Sequence, residues 1–308
     1  MNRDGMLLLS GVTVPVITPM AADGHVDPDG AYALFAALAG AGVRKLLLLG
    51  SNGEGPLVPD ADLTASLGFL VRAWRDAAGQ GSVVTVNVTA PGTLQARGRA
   101  DVAAEAGADA VVLSPPLYFR HSDREIVSHY AAFDRFGLPV IVYNTPRYAN
   151  PLNIETAREV LGMPHVAGVK DSSADPAVLR QLVDIAAQNP GVAVSQGAET
   201  RLVEGLAAGA HGIVPGVGNV APALCLELHS SWQAGDRDAA DAAQRVVTDL
   251  TKMHEIHRGV ATVKQLLAIA GLATPYVTPP LLPCDEGERD ELRRFAGRFE
   301  GILLRGVA

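Results

Sequence analysis

Residues 139–171 read PVIVYNTPRYANPLNIETAREVLGMPHVAGVKD, and this stretch contains the unit that repeats along the chain. Two apolar runs, Pro139–Tyr143 and Val166–Val169, flank the segment Ile154–Leu161, in which apolar residues recur with helical spacing. Neither run alternates polar and apolar residues, which is typical of a strand covered on both faces of a parallel sheet. The stretch therefore predicts a strand, a helix and a second strand parallel to the first.

The same unit recurs over the first two thirds of the chain, with alanine-rich helical segments between the apolar runs. Eight strand–helix units are the number that closes a barrel, and no glycine-rich dinucleotide-binding turn follows the first run. We therefore predict an α/β fold, a (β/α)8 TIM barrel, in preference to an open doubly wound sheet. The eight runs are Val12–Ile17, Val43–Leu49, Val83–Val88, Ala110–Leu113, Pro139–Tyr143, Val166–Val169, Val192–Ser195 and Gly212–Val214.

After the eighth run the pattern changes to helical segments without strands between them. We predict a barrel domain over residues 1–222 and a C-terminal helical extension over residues 223–308. The helical segments of the extension are Pro222–Ala234, Asp238–His257, Val260–Ala270 and Glu286–Leu304.

The composition excludes several classes of protein. The formal net charge of the chain is −8. Nucleic acid is therefore not an expected partner, because its phosphate backbone binds to a basic surface. No run approaches the roughly 18 to 20 apolar residues of a membrane span, and Met1–Leu9 lacks the features of a signal peptide. The two cysteines, Cys225 and Cys284, are far apart in the sequence and outside any CxxC motif, so a disulfide framework is not expected. This cysteine content favours a protein of the reducing cytoplasm.

Lys170 is the first candidate for chemistry. Catalytic groups of a parallel barrel lie at the C-terminal ends of its strands, and Lys170 is the one lysine of four that ends a predicted strand. An ammonium group loses its hydration in an apolar barrel interior, so the pKa of a lysine there is expected to fall. The neutral amine that results is the form that attacks a ketone to give an imine. The alternatives are an outward-facing lysine or an ion pair with Asp171.

Two further strand ends carry groups that suit such an amine. Tyr143 ends the neighbouring predicted strand, and a phenol there can relay protons, although a packing role is the alternative. The loop after the second strand reads Gly50-Ser-Asn-Gly-Glu54, and its backbone N–H groups can converge on an anion such as a carboxylate. A plain turn is the alternative reading of that loop.

Taken together, these segments resemble the dihydrodipicolinate synthase / N-acetylneuraminate lyase family of pyruvate-dependent enzymes. The resemblance covers the barrel, and Gly209–Val220 is similar to the family's eighth-strand segment. It implies a (β/α)8 barrel with C-terminal helices that assembles as a homotetramer built from two dimers. The motifs that carry the resemblance are G-S-N-G-E at residues 50–54, S-P-P-L-Y at 114–118, Y-N-T-P at 143–146 and G-V-K-D-S-S at 168–173.

The resemblance also implies a role for each matching residue. Lys170 matches the Schiff-base lysine and Tyr143 the proton-relay tyrosine. The remaining matches concern substrate binding. Ser51 and Asn52 match the pair that holds the pyruvate carboxylate, and Val214 matches the residue whose backbone lines the pyruvate pocket. Ser172 matches a hydroxyl that faces the C4 hydroxyl of the substrate.

Departures from the family pattern bear on the substrate. Synthases of the lysine pathway carry Thr-Thr where this chain has Ser51 and Asn52, and they carry an arginine where it has Tyr148. The tyrosine that those enzymes donate across a dimer falls at Leu117, next to Tyr118. We therefore expect a lyase that cleaves 4-hydroxy-2-oxoacids or 2-keto-3-deoxy sugar acids. A distal carboxylate or hydroxyl of the substrate is expected to meet Arg147, or Arg120 with His121.

The predicted activity is a class I aldolase reaction between pyruvate and an aldehyde, in either direction. It needs no cofactor and no metal, and the pair His254 and His257 is read as a helix surface. The alternatives are a 4-hydroxy-tetrahydrodipicolinate synthase or related dehydratase, a non-catalytic 2-oxoacid sensor and a metal-dependent barrel hydrolase. A metal-dependent pyruvate aldolase would need acidic ligands at strand ends, for which Glu54 and Asp171 are the candidates, but Lys170 makes a metal redundant.

Overall fold

The computed structural model describes residues 4–306, and its parallel strands form a (β/α)8 TIM barrel with C-terminal helices. The first predicted strand is divided at Thr13 into β1 and β2. The β1 segment pairs with β9 and β2 pairs with β3, so consecutive pieces of one chain segment close the sheet. The strands are β1 (Gly11–Val12), β2 (Val14–Pro15), β3 (Lys45–Leu48), β4 (Val83–Asn87), β5 (Ala110–Leu113), β6 (Val140–Asn144), β7 (Val166–Asp171), β8 (Ala193–Gln196) and β9 (Gly212–Ile213).

Helices follow the strands and surround the barrel. The helix that starts at Pro222 contacts β1 and completes the eighth strand–helix unit, so the boundary predicted between residues 222 and 223 falls at the start of this helix. The helices are α1 (Gly5–Leu9), α2 (Pro28–Gly40), α3 (Asp60–Ala78), α4 (Thr93–Glu105), α5 (Asp123–Ala131), α6 (Ile154–Leu161), α7 (Pro176–Ala187), α8 (Leu202–Ala207), α9 (Pro222–Gln233), α10 (Arg237–Thr251), α11 (Met253–Ile256), α12 (Val260–Ile269) and α13 (Glu286–Gly297).

Two helix predictions in the extension were too long. The segment Asp238–His257 is interrupted at Lys252, whose N–H donates to the carbonyls of Asp249 and Leu250 instead of continuing the helical ladder. The segment predicted to end at Leu304 is helical only to Gly297. Beyond this helix the chain turns back, and the N–H of Leu304 donates to the Val220 carbonyl at 2.7 Å, so the apolar end of the segment covers the barrel.

The short helix α1 was not predicted, and it fills the N-terminal end of the barrel. Leu8 and Leu9 are buried with side chains of the strand interior, and burial of each leucine contributes on the order of 1.5–3 kcal/mol. A Cβ on Gly5 would lie 2.0 Å from the carbonyl oxygen of Ala167, so only glycine fits this approach. The Lys45 amine donates to the carbonyls of Leu7 and Ser10, which ties the start of β3 to this N-terminal segment.

Both cysteines are free thiols in the apolar interior. None of the helices within residues 4–306 combines the length and the hydropathy that crossing a bilayer requires.

Candidate functional site

The register of two neighbouring strands brings the predicted lysine and tyrosine together. Tyr143 on β6 and Lys170 on β7 are direct Cα partners, and both side chains are buried, with 6% and 5% exposure. Lys170 Nζ lies 4.2 Å from the centroid of the Tyr143 ring. The lysine is therefore inside the barrel, and its amine contacts the face of the aromatic ring.

Asp171 points to the other side of β7 and has partners of its own. Its carboxylate accepts hydrogen bonds from Asn144 Nδ2 at 2.7 Å and from Ser173 Oγ at 2.9 Å. Burial raises the pKa of Asp171, and these hydrogen bonds offset part of that increase. The carboxylate thus fixes the ends of β6 and β7, and the alternative of an ion pair between Lys170 and Asp171 does not explain the buried position of the lysine.

The phenol of Tyr143 is surrounded by groups that stabilise its anion. Burial raises the pKa of Tyr143, but the positive charge of Lys170 and hydrogen bonds from the Ser51, Thr145 and Ser172 hydroxyls outweigh it, and the net shift is downward. Ser51 Oγ and Tyr143 Oη are 3.2 Å apart. A phenol in this position can exchange its proton more readily than an isolated tyrosine.

The loop after β3 is a tight turn, as its sequence predicts. Glu54 has a φ of 56°, and a Cβ on Gly55 would lie 1.9 Å from the Leu49 carbonyl oxygen. The Asn52 amide reaches the loop after β9, because a Cβ on Gly216 would lie 2.6 Å from Asn52 Nδ2. The turn thereby places Ser51 beside the phenol and Asn52 beside the β9 loop.

The loops after β7, β8 and β9 complete the floor of the site. Val214 is buried, and its N–H donates to the Gln196 carbonyl at 2.8 Å. A Cβ on Gly197 would lie 2.2 Å from Ser172 Oγ and 3.1 Å from Lys170 Cε, so a glycine is required where Ser172 and the lysine stem meet the β8 loop.

Glu199 is a titratable group near this floor that the sequence reasoning missed. Its carboxylate accepts a hydrogen bond from the Val217 N–H at 2.6 Å. Burial raises the pKa of Glu199, and this hydrogen bond and the nearby charge of Lys170 offset only part of the increase. The signal was available, because Glu199 follows the C-terminal end of a barrel strand, β8.

A second missed pair links the β3 loop to the C-terminal extension. Glu54 forms an ion pair with Lys264 of α12, and both side chains are sealed from solvent. Glu54 Oε2 also accepts a hydrogen bond from the Thr278 N–H, and Lys264 Nζ donates to the Tyr276 carbonyl at 2.8 Å. Burial lowers the pKa of Lys264, and the Glu54 carboxylate offsets part of this decrease. The carboxylate of Glu54 is thus committed to a structural contact.

A cavity of about 380 Å³ opens above the phenol and extends to the helical extension. Tyr148 is one of its lining residues, whereas Arg147 is exposed and its guanidinium carbon lies 5.3 Å from the centroid of the Tyr148 ring. The structure brings together Lys170, Tyr143, Ser51, Asn52, Ser172 and Val214. Arg147 is exposed at the surface and lies outside the cavity lining.

The histidines of the extension face separate partners. His254 Nδ1 lies 2.9 Å from Thr262 Oγ1, and His257 Nδ1 lies 3.0 Å from Glu288 Oε1. Both side chains are half-buried, so the prediction of a solvated helix surface was wrong: α11 ends at Ile256, and packing against α12 and α13 covers them.

Comparisons with known proteins identify the family of this chain. The model of the Dihydrodipicolinate synthetase family matches residues 8–298. An uncharacterized DapA-like lyase of Halobacterium salinarum is 34% identical over 289 residues, which cover 92% of either chain. The 4-hydroxy-tetrahydrodipicolinate synthase of Acidiphilium cryptum is 27% identical over 93% of this chain and 97% of its own.

A solved structure gives the same result at the level of the fold. YagE, a prophage protein of the dihydrodipicolinic acid synthase family from E. coli K12, was crystallised in complex with pyruvate. It matches this chain with a TM-score of 0.89 at 25% identity, and the match covers 95% of this chain and 99% of YagE. The chain therefore belongs to the dihydrodipicolinate synthetase family of lyases.

Proposed function

We propose that this protein is a class I aldolase that cleaves or forms a carbon–carbon bond between pyruvate and an aldehyde through a Schiff base on Lys170. The observation that carries the proposal is the buried amine of Lys170, 4.2 Å from the ring centroid of Tyr143, whose hydroxyl lies 3.2 Å from Ser51 Oγ. The complex of YagE with pyruvate supports pyruvate as the 2-oxoacid.

In the cleavage direction the neutral Lys170 amine attacks the 2-oxo carbon of a 4-hydroxy-2-oxoacid. The carbinolamine loses water and becomes an iminium, which draws the electron pair of the breaking C3–C4 bond into an enamine. Tyr143 accepts the proton of the C4 hydroxyl as the aldehyde leaves, and the enamine then takes a proton at C3. Hydrolysis of the iminium releases pyruvate and restores the amine, so no external oxidant or reductant is consumed.

The neighbouring residues are assigned to substrate binding. We propose that Ser51 and Asn52 hold the pyruvate carboxylate, that the Val214 backbone lines the pyruvate pocket and that Ser172 faces the C4 hydroxyl. Ser172 is in reach of this role because its hydroxyl also hydrogen-bonds the Tyr143 phenol. Arg147 is proposed to meet only a substituent that reaches the mouth of the cavity, since the arginine is exposed and lies on Tyr148.

Two other activities use the same fold. A 4-hydroxy-tetrahydrodipicolinate synthase would form the same imine and pass the enamine to another acceptor, whereas a related dehydratase would use the imine to release a hydroxyl group of the 2-oxoacid as water. Several matched relatives bear the synthase name. The departures at Ser51, Asn52 and Tyr148 favour the aldolase. A non-catalytic 2-oxoacid sensor would bind pyruvate reversibly.

Trapping with borohydride tests the imine directly. The protein is incubated with pyruvate, reduced with sodium borohydride, digested and analysed by mass spectrometry. We expect one reduced pyruvate adduct on the peptide that contains Lys170, and none in Lys170→Arg. The variant Lys252→Arg is the matched control, because Lys252 is exposed and forms an ion pair with Asp249. Reversible binding of pyruvate without an adduct would favour the sensor.

We also propose a homotetramer of two dimers in a reducing cytoplasm. Tyr118 and Phe119 support an interface between copies, because they are 89% and 65% exposed and their rings stack edge to face. The free, buried thiols of Cys225 and Cys284 support the compartment. Sedimentation of the intact chain measures the oligomeric state, and a monomer at working concentration would contradict the assembly.

A further inference from the structure

The wall of the cavity above Tyr143 is mainly apolar. Starting from Ser51 and Tyr143, the lining passes to side chains of the β3 and β5 loops and then to the helical extension. A distal part of a substrate that extends from the reacting carbons would contact this wall. Its apolar lining residues are Pro56, Leu57, Leu117, Val260, Ala261, Leu281 and Leu282, and Tyr148 adds an aromatic ring with one hydroxyl.

Three uncharged polar residues deep in the lining, Asn87, Thr89 and Ser114, are engaged with the protein itself. Asn87 Nδ2 donates to the Leu49 carbonyl at 2.9 Å, and Thr89 Oγ1 donates to Asn87 Oδ1 at 2.8 Å. The Ser114 hydroxyl donates to the Pro115 carbonyl at 2.8 Å. A substrate with several hydroxyl groups would have to compete for these donors, so these three residues do not by themselves form a sugar-binding surface.

The charged residues of the lining offer little to a distal carboxylate. Glu54 carries a negative charge and is paired with Lys264. His257 is held by Glu288, with Nδ1 3.0 Å from Oε1. Among the described residues that line the cavity, Arg258 alone carries a permanent positive charge, and it is exposed to water, which screens its charge.

We infer that the aldehyde partner is hydrophobic: its carbonyl carries an alkyl chain or an aromatic ring, without a distal carboxylate and without a row of hydroxyl groups. This inference rests on the proposed aldolase function and names its substrate class. In the forming direction the enamine carbon bonds to the aldehyde carbon and the aldehyde oxygen takes the proton of Tyr143. The product is a 4-hydroxy-2-oxoacid with an apolar substituent at C4.

Matched aldehydes test the inference. Pentanal and 5-oxopentanoate have the same chain length and differ by a terminal carboxylate, and phenylacetaldehyde and glyceraldehyde contrast an aromatic ring with hydroxyl groups. At saturating pyruvate, kcat/KM is expected to be at least about tenfold higher for the apolar member of each pair, the scale of discrimination that a hydrophobic pocket provides.

Variants assign the preference to the cavity wall. Leu57→Asn and Leu282→Asn each place an amide in the wall at a partly exposed position, so folding should tolerate them. Each is expected to lower the ratio of kcat/KM for pentanal to that for 5-oxopentanoate severalfold. Leu94→Asn is the matched control, because Leu94 is 86% exposed on α4 and lies outside the lining.

The outcomes separate the inference from the function on which it rests. If the pyruvate adduct forms on Lys170 but 5-oxopentanoate or glyceraldehyde is the better acceptor, the hydrophobic-aldehyde inference is wrong and the aldolase function stands. If no adduct forms, the aldolase function fails and the inference fails with it. An unchanged ratio in both leucine variants would also overturn the assignment to this wall.

Discussion

Glu54 and Lys264 form an ion pair whose side chains are 1% and 0% exposed, and this pair joins the turn after β3 to helix α12 of the extension. Glu54 is three residues after Ser51, in a turn where its own φ is positive. The extension therefore holds the conformation of the loop that is proposed to bind the pyruvate carboxylate. The helical extension is part of the structural support of the site.

Removal of the lysine should be costly for this reason. In Lys264→Met the Glu54 carboxylate stays buried without its partner, and we expect a loss of about 3–5 kcal/mol in the free energy of unfolding. Urea unfolding at pH 7 measures the change. The double variant Glu54→Gln/Lys264→Met should recover part of the loss because no charge is left buried.

The control for this pair is an exposed one. Asp249 of α10 and Lys252 at its C-terminal end form an ion pair with more than half of each side chain exposed, so Lys252→Met should cost far less stability than Lys264→Met. Equal losses in Lys252→Met and Lys264→Met would show that the buried pair has no special structural role.

Removal of the Tyr143 hydroxyl should lower the rate of the chemical steps and should not act through pyruvate binding alone. Tyr143→Phe keeps the ring that contacts the Lys170 amine and removes the hydroxyl 3.2 Å from Ser51. Loss of a proton-transfer group lowers rates by about 100- to 10,000-fold, so kcat should fall in that range while the borohydride adduct on Lys170 still forms. Tyr32→Phe, at an exposed position on α2, is the control. A kcat within a fewfold of the parent enzyme would exclude the phenol from the proton relay.

His129 should make stability depend on pH. Burial lowers the pKa of His129 from 6.5 to about 4, so the unfolded chain binds the proton more tightly than the folded chain does. The stability that neutral His129 contributes is therefore present above pH 6.5 and is lost as the pH falls toward 4, and linkage gives a loss of about 2 kcal/mol at pH 5.

The measurement is the difference in unfolding free energy between the parent chain and His129→Gln. This difference should shift by about 2 kcal/mol between pH 8 and pH 5, in the direction that favours the variant at low pH. A difference that stays constant over this range would mean that His129 titrates normally in the folded protein.

Local sequence patterns were sufficient to predict the strands of the barrel and the residues that lie at the strand ends. The apolar runs predicted the barrel strands, and the rule that strand ends carry function predicted that Lys170 and Tyr143 meet, which the register of β6 and β7 confirms. The glycines of the loop Gly50–Glu54 predicted a tight turn, which its backbone adopts, whereas carboxylate binding by this turn stays a prediction.

Contacts between distant segments could not be predicted in this way. Glu54 and Lys264 are 210 positions apart (264 minus 54), and neither residue carries a local signal of its partner. The helix α1 was missed because five residues show too little periodicity, although the barrel interior that buries Leu8 and Leu9 stabilises it. Both features are stabilised by burial between segments that are distant in the sequence.

Arg147 provides the last prediction, because it separates contact at the mouth of the cavity from contact with its wall. The inferred substrate has no distal carboxylate, so dicarboxylic 2-oxoacids serve here as probes of the mouth: if their carboxylate reaches Arg147, Arg147→Ala should weaken their binding relative to neutral 2-oxoacids by up to about fivefold, the range of an exposed ion pair. Arg258→Ala is the matched comparison, since Arg258 lines the cavity and Arg147 does not. Affinities measured by titration for both variants decide between them. An unchanged ratio in Arg147→Ala removes that arginine from the site, and a change confined to Arg258→Ala moves the contact to the extension.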